Sequence, residues 1–256
     1  MKNDTPRGTA LVTGASAGFG VAIVRRLHAE GWRVVAAARR ADRLRALAQE
    51  LGPAVLAWPL DVTDRDAVAA LPGALPTPFA EIDLLVNNAG LALGLLPAQQ
   101  ASLDDWESMV ATNVAGLMRC THALLPGMVA RGRGHVVNIG SIAGGTPYPG
   151  GNAYGATKAF VHQFTRNLKA DLVGTPVRVT VIEPGLVGGS EFSNVRFKGD
   201  DARAASVYAG TDPLTPEDIA EAVAWVAQLP PRVNVNLMEL MPACQAYGPM
   251  VIHRKP

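Results

Sequence analysis

The chain has 256 residues, of which 48% are hydrophobic and 18% charged, with 23 Lys plus Arg against 22 Asp plus Glu. That is enough apolar material for one large α/β domain, and it excludes a disordered chain. The balanced charge lacks the basic surplus or stripe that binding to nucleic acid or an anionic membrane requires.

The opening "MKNDTPRGTALVTG" carries no apolar stretch of the kind a secretory leader has, and no window of about 18 apolar residues marks a membrane span. The two cysteines, Cys120 and Cys244, stand too far apart for a ligand motif and read as reduced thiols of a cytoplasmic protein. The histidines (28, 122, 135, 162 and 253) form no H-x-x-x-H pattern, so no metal is expected.

In chain order, the first predicted strand is "TALVT" (Thr9 to Thr13), followed by a glycine-rich turn and a helix from Gly18 to Glu30. A second strand, Arg33 to Ala38, leads to a helix from Asp42 to Glu50, and a third, "AVLAWPL", ends at Asp61. A short helix follows Thr63, "LPGALPTP" (Leu71 to Pro78) is a connection, and "IDLLVNN" is a fourth strand ending at Asn88. One long helix is expected from about Leu103 to Ala130, then a fifth strand from Gly134 to Ser141 and a helix from Asn152 to Val173. The sixth strand is Val177 to Gly185; a helix from Pro216 to Leu229 and a last strand, "VNVNLMEL", complete the series. Apolar strands alternating with helices predict a doubly wound parallel sheet of Rossmann type, helices on both faces, in a single domain.

The turn "TGASAGFG" offers Gly14, Ser16, Gly18, Phe19 and Gly20 to a dinucleotide. Glycine permits a tight turn and close backbone approach to a pyrophosphate, and the helix start supplies free N–H groups and a positive dipole end. After the second strand, where a carboxylate would bind a ribose 2′-OH, the chain has Arg39 and Arg40, which suit a 2′-phosphate; NADP(H) is therefore the expected cofactor. Asp42 is assigned to capping the next helix. Further on, "NAYGATK" sets Tyr154 and Lys158 one turn apart on one helix face. A phenol with pKa near ~10 is a poor acid or base at neutral pH, and a neighbouring ammonium is expected to lower it so that it can exchange a proton with a substrate oxygen. In a parallel sheet the strand C-termini form the ligand crevice, so Gly14, Asn88, Ser141 and Pro184 are expected to converge there.

These motifs, "TGASAGFG", "NNAG", Asn113, Ser141 and "YGATK", occur in this order over the whole chain, which resembles the short-chain dehydrogenase/reductase family. The resemblance implies that Tyr154 is the proton donor or acceptor, Ser141 polarises the substrate carbonyl, Lys158 holds the nicotinamide ribose, and Asn113 supports a water-linked relay to Lys158. It also implies that Asp61 and Val62 meet the adenine, Asn87, Ala89 and Gly90 line the cofactor, and Pro184, Gly185 and Val187 close the nicotinamide site. Asp61 has a helix-capping alternative. The family pattern P-G-x-V-x-T departs here, with Gly189 at the threonine position and Ser190 one later; Ser190 or backbone groups take over that contact.

"NNAGLALG", "DIAEAVAWV", "GLVGGSEFSNVRFKGDD" and "NVNLMELMP" further resemble the bacterial NADP-dependent 3-hydroxy acid dehydrogenases. This implies a homotetramer acting on serine, allo-threonine, 3-hydroxyisobutyrate or 3-hydroxypropionate, or reducing malonate semialdehyde, with a substrate lid over about 187–212. Sulfoacetaldehyde reductase, broad small-carbonyl reductase and a non-catalytic NADP-sensing protein are the alternatives. The charged substrates all need a cation over the crevice, and Arg196 and Lys198 are the candidates; surface pairing with Glu191, Asp200 and Asp201 is the other reading.

Overall fold

Strands flanked by helices on both sides must be apolar on both faces, and the alternate residues of each strand here feed two separate cores. The computed structural model describes residues 6–248; residues 1–5 and 249–256, with His253 among them, lie outside the described part. The strands are β1 Thr9–Thr13, β2 Arg33–Ala38, β3 Val55–Pro59, β4 Leu84–Asn87, β5 Gly134–Ile139, β6 Val177–Pro184 and β7 Leu237–Leu240. All pair in parallel in one sheet, in the order β3-β2-β1-β4-β5-β6-β7. The order reverses between β1 and β4, and such a switch opens a crevice beyond the strand C-termini.

The helices are α1 Gly18–Ala29, α2 Ala41–Leu51, α3 Arg65–Ala74, α4 Leu103–Val110, α5 Leu117–Arg131, α6 Asn152–Asp171, α7 Phe192–Arg196, α8 Asp201–Ser206 and α9 Pro216–Gln228. On one face Ala10, Val12, Val34 and Val86 pack against Ile23 and Leu27 of α1 and Ile219 and Val223 of α9. On the other, Leu11, Val35, Leu85 and Val136 meet Leu71 of α3, Leu124 and Met128 of α5 and Leu168 of α6. Truncating one of these buried leucines to alanine costs about 2–5 kcal/mol. Gly20 lets α1 lie close on the sheet, because a Cβ there would overlap the Gly14 carbonyl oxygen.

Buried polar groups fix α6 against the sheet. Asn87 Nδ2 donates to Thr121 Oγ1 at 3.0 Å and Asn138 Oδ1 at 2.9 Å, and Asn138 Nδ2 donates to Thr165 Oγ1 at 2.9 Å. This chain of bonds runs from β4 through β5 to α5 and α6.

Three local expectations are corrected. The long helix is two helices joined by a wide π turn, Ala111–Gly116, which rotates Asn113 into the interior. The run Leu71–Pro78 is not wholly a connection, since α3 continues through Pro72 to Ala74; so near the helix end the proline forfeits only one backbone bond. Asp42 stands inside the first turn of α2 without a capping bond, where its charge complements the helix dipole. Among the described residues, no helix is long and apolar enough to cross a membrane, and no cluster of His, Cys, Asp or Glu could hold a metal ion.

Candidate active site

The strand ends open on a cleft of about 800 Å³. Its lining includes Gly14, Ser16, Gly18 and Phe19 from the first turn, Arg39 and Arg40 after β2, Asp61 and Val62 after β3, and Ala89 and Gly90 after β4. Ser141, Tyr154 and Lys158 also line it, with Pro184, Gly185, Val187, Ser190 and Arg196. The turn after β4 is pinned from β1: Thr13 Oγ1 accepts from the Asn88 and Ala89 N–H groups at 3.0 and 2.9 Å.

Tyr154 and Lys158 stand on successive turns of α6 and both are buried. Burial pushes the Tyr154 phenol up to about 12, while a hydrogen bond with Ser141 and the Arg196 charge pull the other way. Burial pushes the Lys158 ammonium down to about 8 against the opposing charge of Glu183. The expected lowering of the tyrosine by Lys158 is therefore not what the protein's own groups produce. Lys158 Nζ donates to the Ile139 carbonyl at 2.8 Å and sits 5.9 Å from the Tyr154 ring centroid, so its charge is committed elsewhere. Ser141 Oγ accepts from Ala143 N–H at 3.1 Å and donates to the Pro184 carbonyl at 3.5 Å.

Asn113 does not line the cleft. From the π turn its Nδ2 donates to the Leu91 carbonyl at 2.8 Å and to Thr157 Oγ1 at 3.1 Å, and its Oδ1 accepts from Leu91 N–H at 2.9 Å. It thereby joins the turn after β4 to α6, between Tyr154 and Lys158. Asn87 is a correction: its side chain turns into the core bonds described above, and Asn88 lines the cleft in its place. The alternation of side chains along β4 places neighbouring asparagines on opposite sides. Gly20 is likewise a packing glycine and not part of the lining.

At the other end, Arg40 Nε donates to Ser16 Oγ at 3.0 Å and Nη1 to Glu191 Oε2 at 2.8 Å. Arg39 makes no ion pair among the described residues. Asp61 Oδ1 accepts from Thr63 N–H at 2.9 Å and Thr63 Oγ1 at 2.8 Å, while Asp64 caps α3, so the helix-cap reading of Asp61 is set aside. Burial raises the Asp61 pKa, but the Thr63 bonds and the Arg39 charge outweigh it and hold the carboxyl below its ordinary range.

Over the cleft runs the segment after β6. Gly189 has φ +68°, a left-handed conformation that a threonine would adopt only under strain. The departure from the family pattern is therefore conformational, and it leaves Ser190 as the hydroxyl in the lining. Arg196, at the end of α7, lies over the reactive wall: its guanidinium carbon is 5.2 Å from the Tyr154 ring centroid and 5.2 Å from that of Phe192, and Nη2 donates to Tyr148 Oη at 2.9 Å. Arg196 Nε is buried and has no partner among the described residues. Lys198 is not brought to the cleft. It takes a left-handed conformation, φ +54°, and its Nζ pairs with Asp105 Oδ2 at 2.9 Å. Surface pairing with Glu191, Asp200 or Asp201 holds for neither residue. Glu191 instead pairs with Arg40 and Arg43, a contact that sequence reasoning missed.

A family model described as short chain dehydrogenase matches residues 8–200. A relative from Salmonella typhi, named NADP-dependent 3-hydroxy acid dehydrogenase YdfG, is 59% identical over 244 residues, which is 95% of this chain and 98% of its own. A serine 3-dehydrogenase of Agrobacterium fabrum is 49% identical over 248 residues, covering 97% of this chain and 99% of the relative. Among solved structures, the closed form of serine dehydrogenase complexed with NADP+ superimposes with a TM-score of 0.95 at 56% identity, covering 96% of this chain and all of the other.

Proposed function

The chain belongs to the short-chain dehydrogenase family, and on that premise we propose that it transfers hydride between NADP(H) and a small 3-hydroxy acid or its semialdehyde. The observation that carries this reading is the stacking of a single guanidinium, that of Arg196, over the wall formed by Tyr154, Ser141 and Lys158. A planar, permanently charged fork at that height suits a carboxylate beside the reacting carbon.

The residues fit the phosphorylated dinucleotide. Glycine backbone and the start of α1 face the cleft where a pyrophosphate would lie, and Arg39 and Arg40 stand where a carboxylate would refuse a 2′-phosphate. Asp61 and Val62 frame the adenine end, and Ser190, Pro184, Gly185 and Val187 frame the nicotinamide end. The bound cofactor supplies or accepts the hydride. The protein's own part is to hold the substrate oxygen between Ser141 and Tyr154, and to pass a proton at Tyr154 Oη. Lys158 steadies the ribose side, and Asn113 keeps α6 in register with the loop after β4. In this reading residues 187–212 form a substrate lid on a single domain, Arg196 binds the acid, and Lys198 serves the lid rather than the substrate.

A cytoplasmic homotetramer belongs to the same proposal. The exposed apolar side chains of Leu103 and Val110 on α4 and of Met118 and Val129 on α5 support burial against further copies. A sulfonate would also suit Arg196, so reduction of sulfoacetaldehyde is the second reading. The test is a comparison of malonate semialdehyde, sulfoacetaldehyde and an uncharged aldehyde of equal length with NADPH and NADH. The proposal expects the carboxylate substrate with NADPH to give the highest kcat/KM. A preference for the uncharged aldehyde would overturn the anion assignment.

A further inference from the structure

We infer that Glu191 is a latch that ties the lid to the arginines at the ribose end of the cleft, so that lid closure depends on the same guanidinium that meets the cofactor phosphate. The inference rests on the NADP reading and on the lid assignment above.

The observation is a bridge between segments far apart in the chain. Glu191 immediately precedes α7; its Oε2 accepts from Arg40 Nη1 at 2.8 Å and its Oε1 from Arg43 Nη1 at 2.7 Å. Arg40 also donates from Nε to Ser16 Oγ at 3.0 Å, so one side chain touches both the glycine turn and the lid. Just beyond, at Arg196 and Lys198, the lid is held separately. Gly94 N–H donates to the Arg196 carbonyl at 2.9 Å, and Lys198 pairs with Asp105 of α4. The lid is thus a strap tied to Arg40 and Arg43 at Glu191 and to Gly94 and Asp105 at Arg196 and Lys198, so that Arg196 belongs to the second tie.

What holds the Glu191 anchor is charge rather than apolar packing. A second cleft of about 550 Å³ separates the start of α1 from α8, with Arg43, Glu191, Asn194, Asp201 and Tyr208 in its lining. Two guanidiniums on one carboxylate leave one net positive charge, and Arg40 Nη2 donates to no group among the described residues. A phosphate can therefore join Arg40 without displacing Glu191. A guanidinium held in place by a phosphate is a better anchor than a mobile one, because less side-chain freedom is then lost in gripping the lid. The latch thus couples cofactor phosphate to lid closure.

Amide hydrogen exchange over residues 192–208 tests this without turnover. In the cofactor-free protein, Glu191→Gln and Arg43→Gln should each speed exchange roughly threefold, and the double variant no more than either alone, as for an exposed charge network. Saturating NADP+ should protect the segment more than saturating NAD+ in the wild type, and Glu191→Gln should erase that difference while exchange in β1, β4 and β5 stays unchanged. In turnover the same variant should raise the acid KM more than it lowers kcat. Unchanged lid exchange in Glu191→Gln, or fully additive effects, would overturn the latch. If the variants loosen the lid but NADP+ fails to bind, the tie stands, whereas the cofactor reading and the coupling built on it fall.

Discussion

Tyr154 and Arg196 face the same cleft, but the first stands on a 20-residue helix stitched to the sheet by Asn87, Asn138 and Thr165, and the second on a five-residue helix tied down by flanking ion pairs and one backbone bond from Gly94. In the floor, the polar contacts are buried, so loss of one partner strands another in a dry interior. In the roof, the ion pairs are exposed to water, where such pairs contribute about 0–1 kcal/mol each. In the proposed reading the reacting groups are held to a fixed geometry, and Arg196, the group assigned to the acid, rests on the weaker support. On that proposal, one cleft would separate chemistry from recognition by the strength of what supports each.

The sharpest way to break this contrast is Tyr154→Phe. It should reduce kcat by about 10³-fold or more while NADPH binding, followed by fluorescence, stays within roughly threefold. Substantial residual turnover would remove Tyr154 from proton transfer. Next in size, Arg196→Ala should raise the KM for a carboxylate substrate about ten- to a hundredfold, the value of a charge-assisted hydrogen bond, and leave an uncharged aldehyde little affected. Steady-state kinetics on both substrates would show it. Lys198→Ala should change the same KM by less than about threefold, because its partner is Asp105 and not the substrate. An equal effect of the two substitutions would erase the distinction drawn between them.

His135 is buried in β5 beside Thr180, and burial holds its pKa well below the ordinary histidine value. The folded protein keeps it neutral, whereas the unfolded chain takes up a proton below about pH 6.5. Stability from this residue is therefore present above that pH and declines as the pH falls below it. Thermal melts between pH 5 and 8 should show this slope, and His135→Gln should flatten it. The exposed lid anchors should not contribute to the same window.

The floor was legible in the sequence and the roof only partly so. Strand runs, the glycine turn and the Tyr154–Lys158 spacing are short-range patterns, and each strand from β1 to β6 lies within a few residues of its expected place. What escaped depends on contacts across the chain. Nothing local says that Asn113 rides a π turn, that Asn87 faces inward while Asn88 faces the cleft, or that Glu191 meets Arg40 and Arg43 about 150 residues away. Arg196 and Lys198 are two residues apart and equally cationic in sequence; a left-handed turn at Lys198 is what sends them in different directions. The one available signal for the proposed latch was an isolated acid one residue beyond the glycine pair Gly188–Gly189.

Arg196 Nε, buried without an acceptor, has a consequence for discrimination. A buried unpaired donor costs about 1–3 kcal/mol, so the shut arrangement is uncomfortable around any guest that cannot accept from it. If Arg196 meets the acid as proposed, a neutral aldehyde whose one oxygen is held by Ser141 and Tyr154 would leave that complaint unanswered. An acid would answer it. Rejection then needs no steric clash, only an unmet hydrogen bond that makes the door reluctant to stay closed on the wrong molecule.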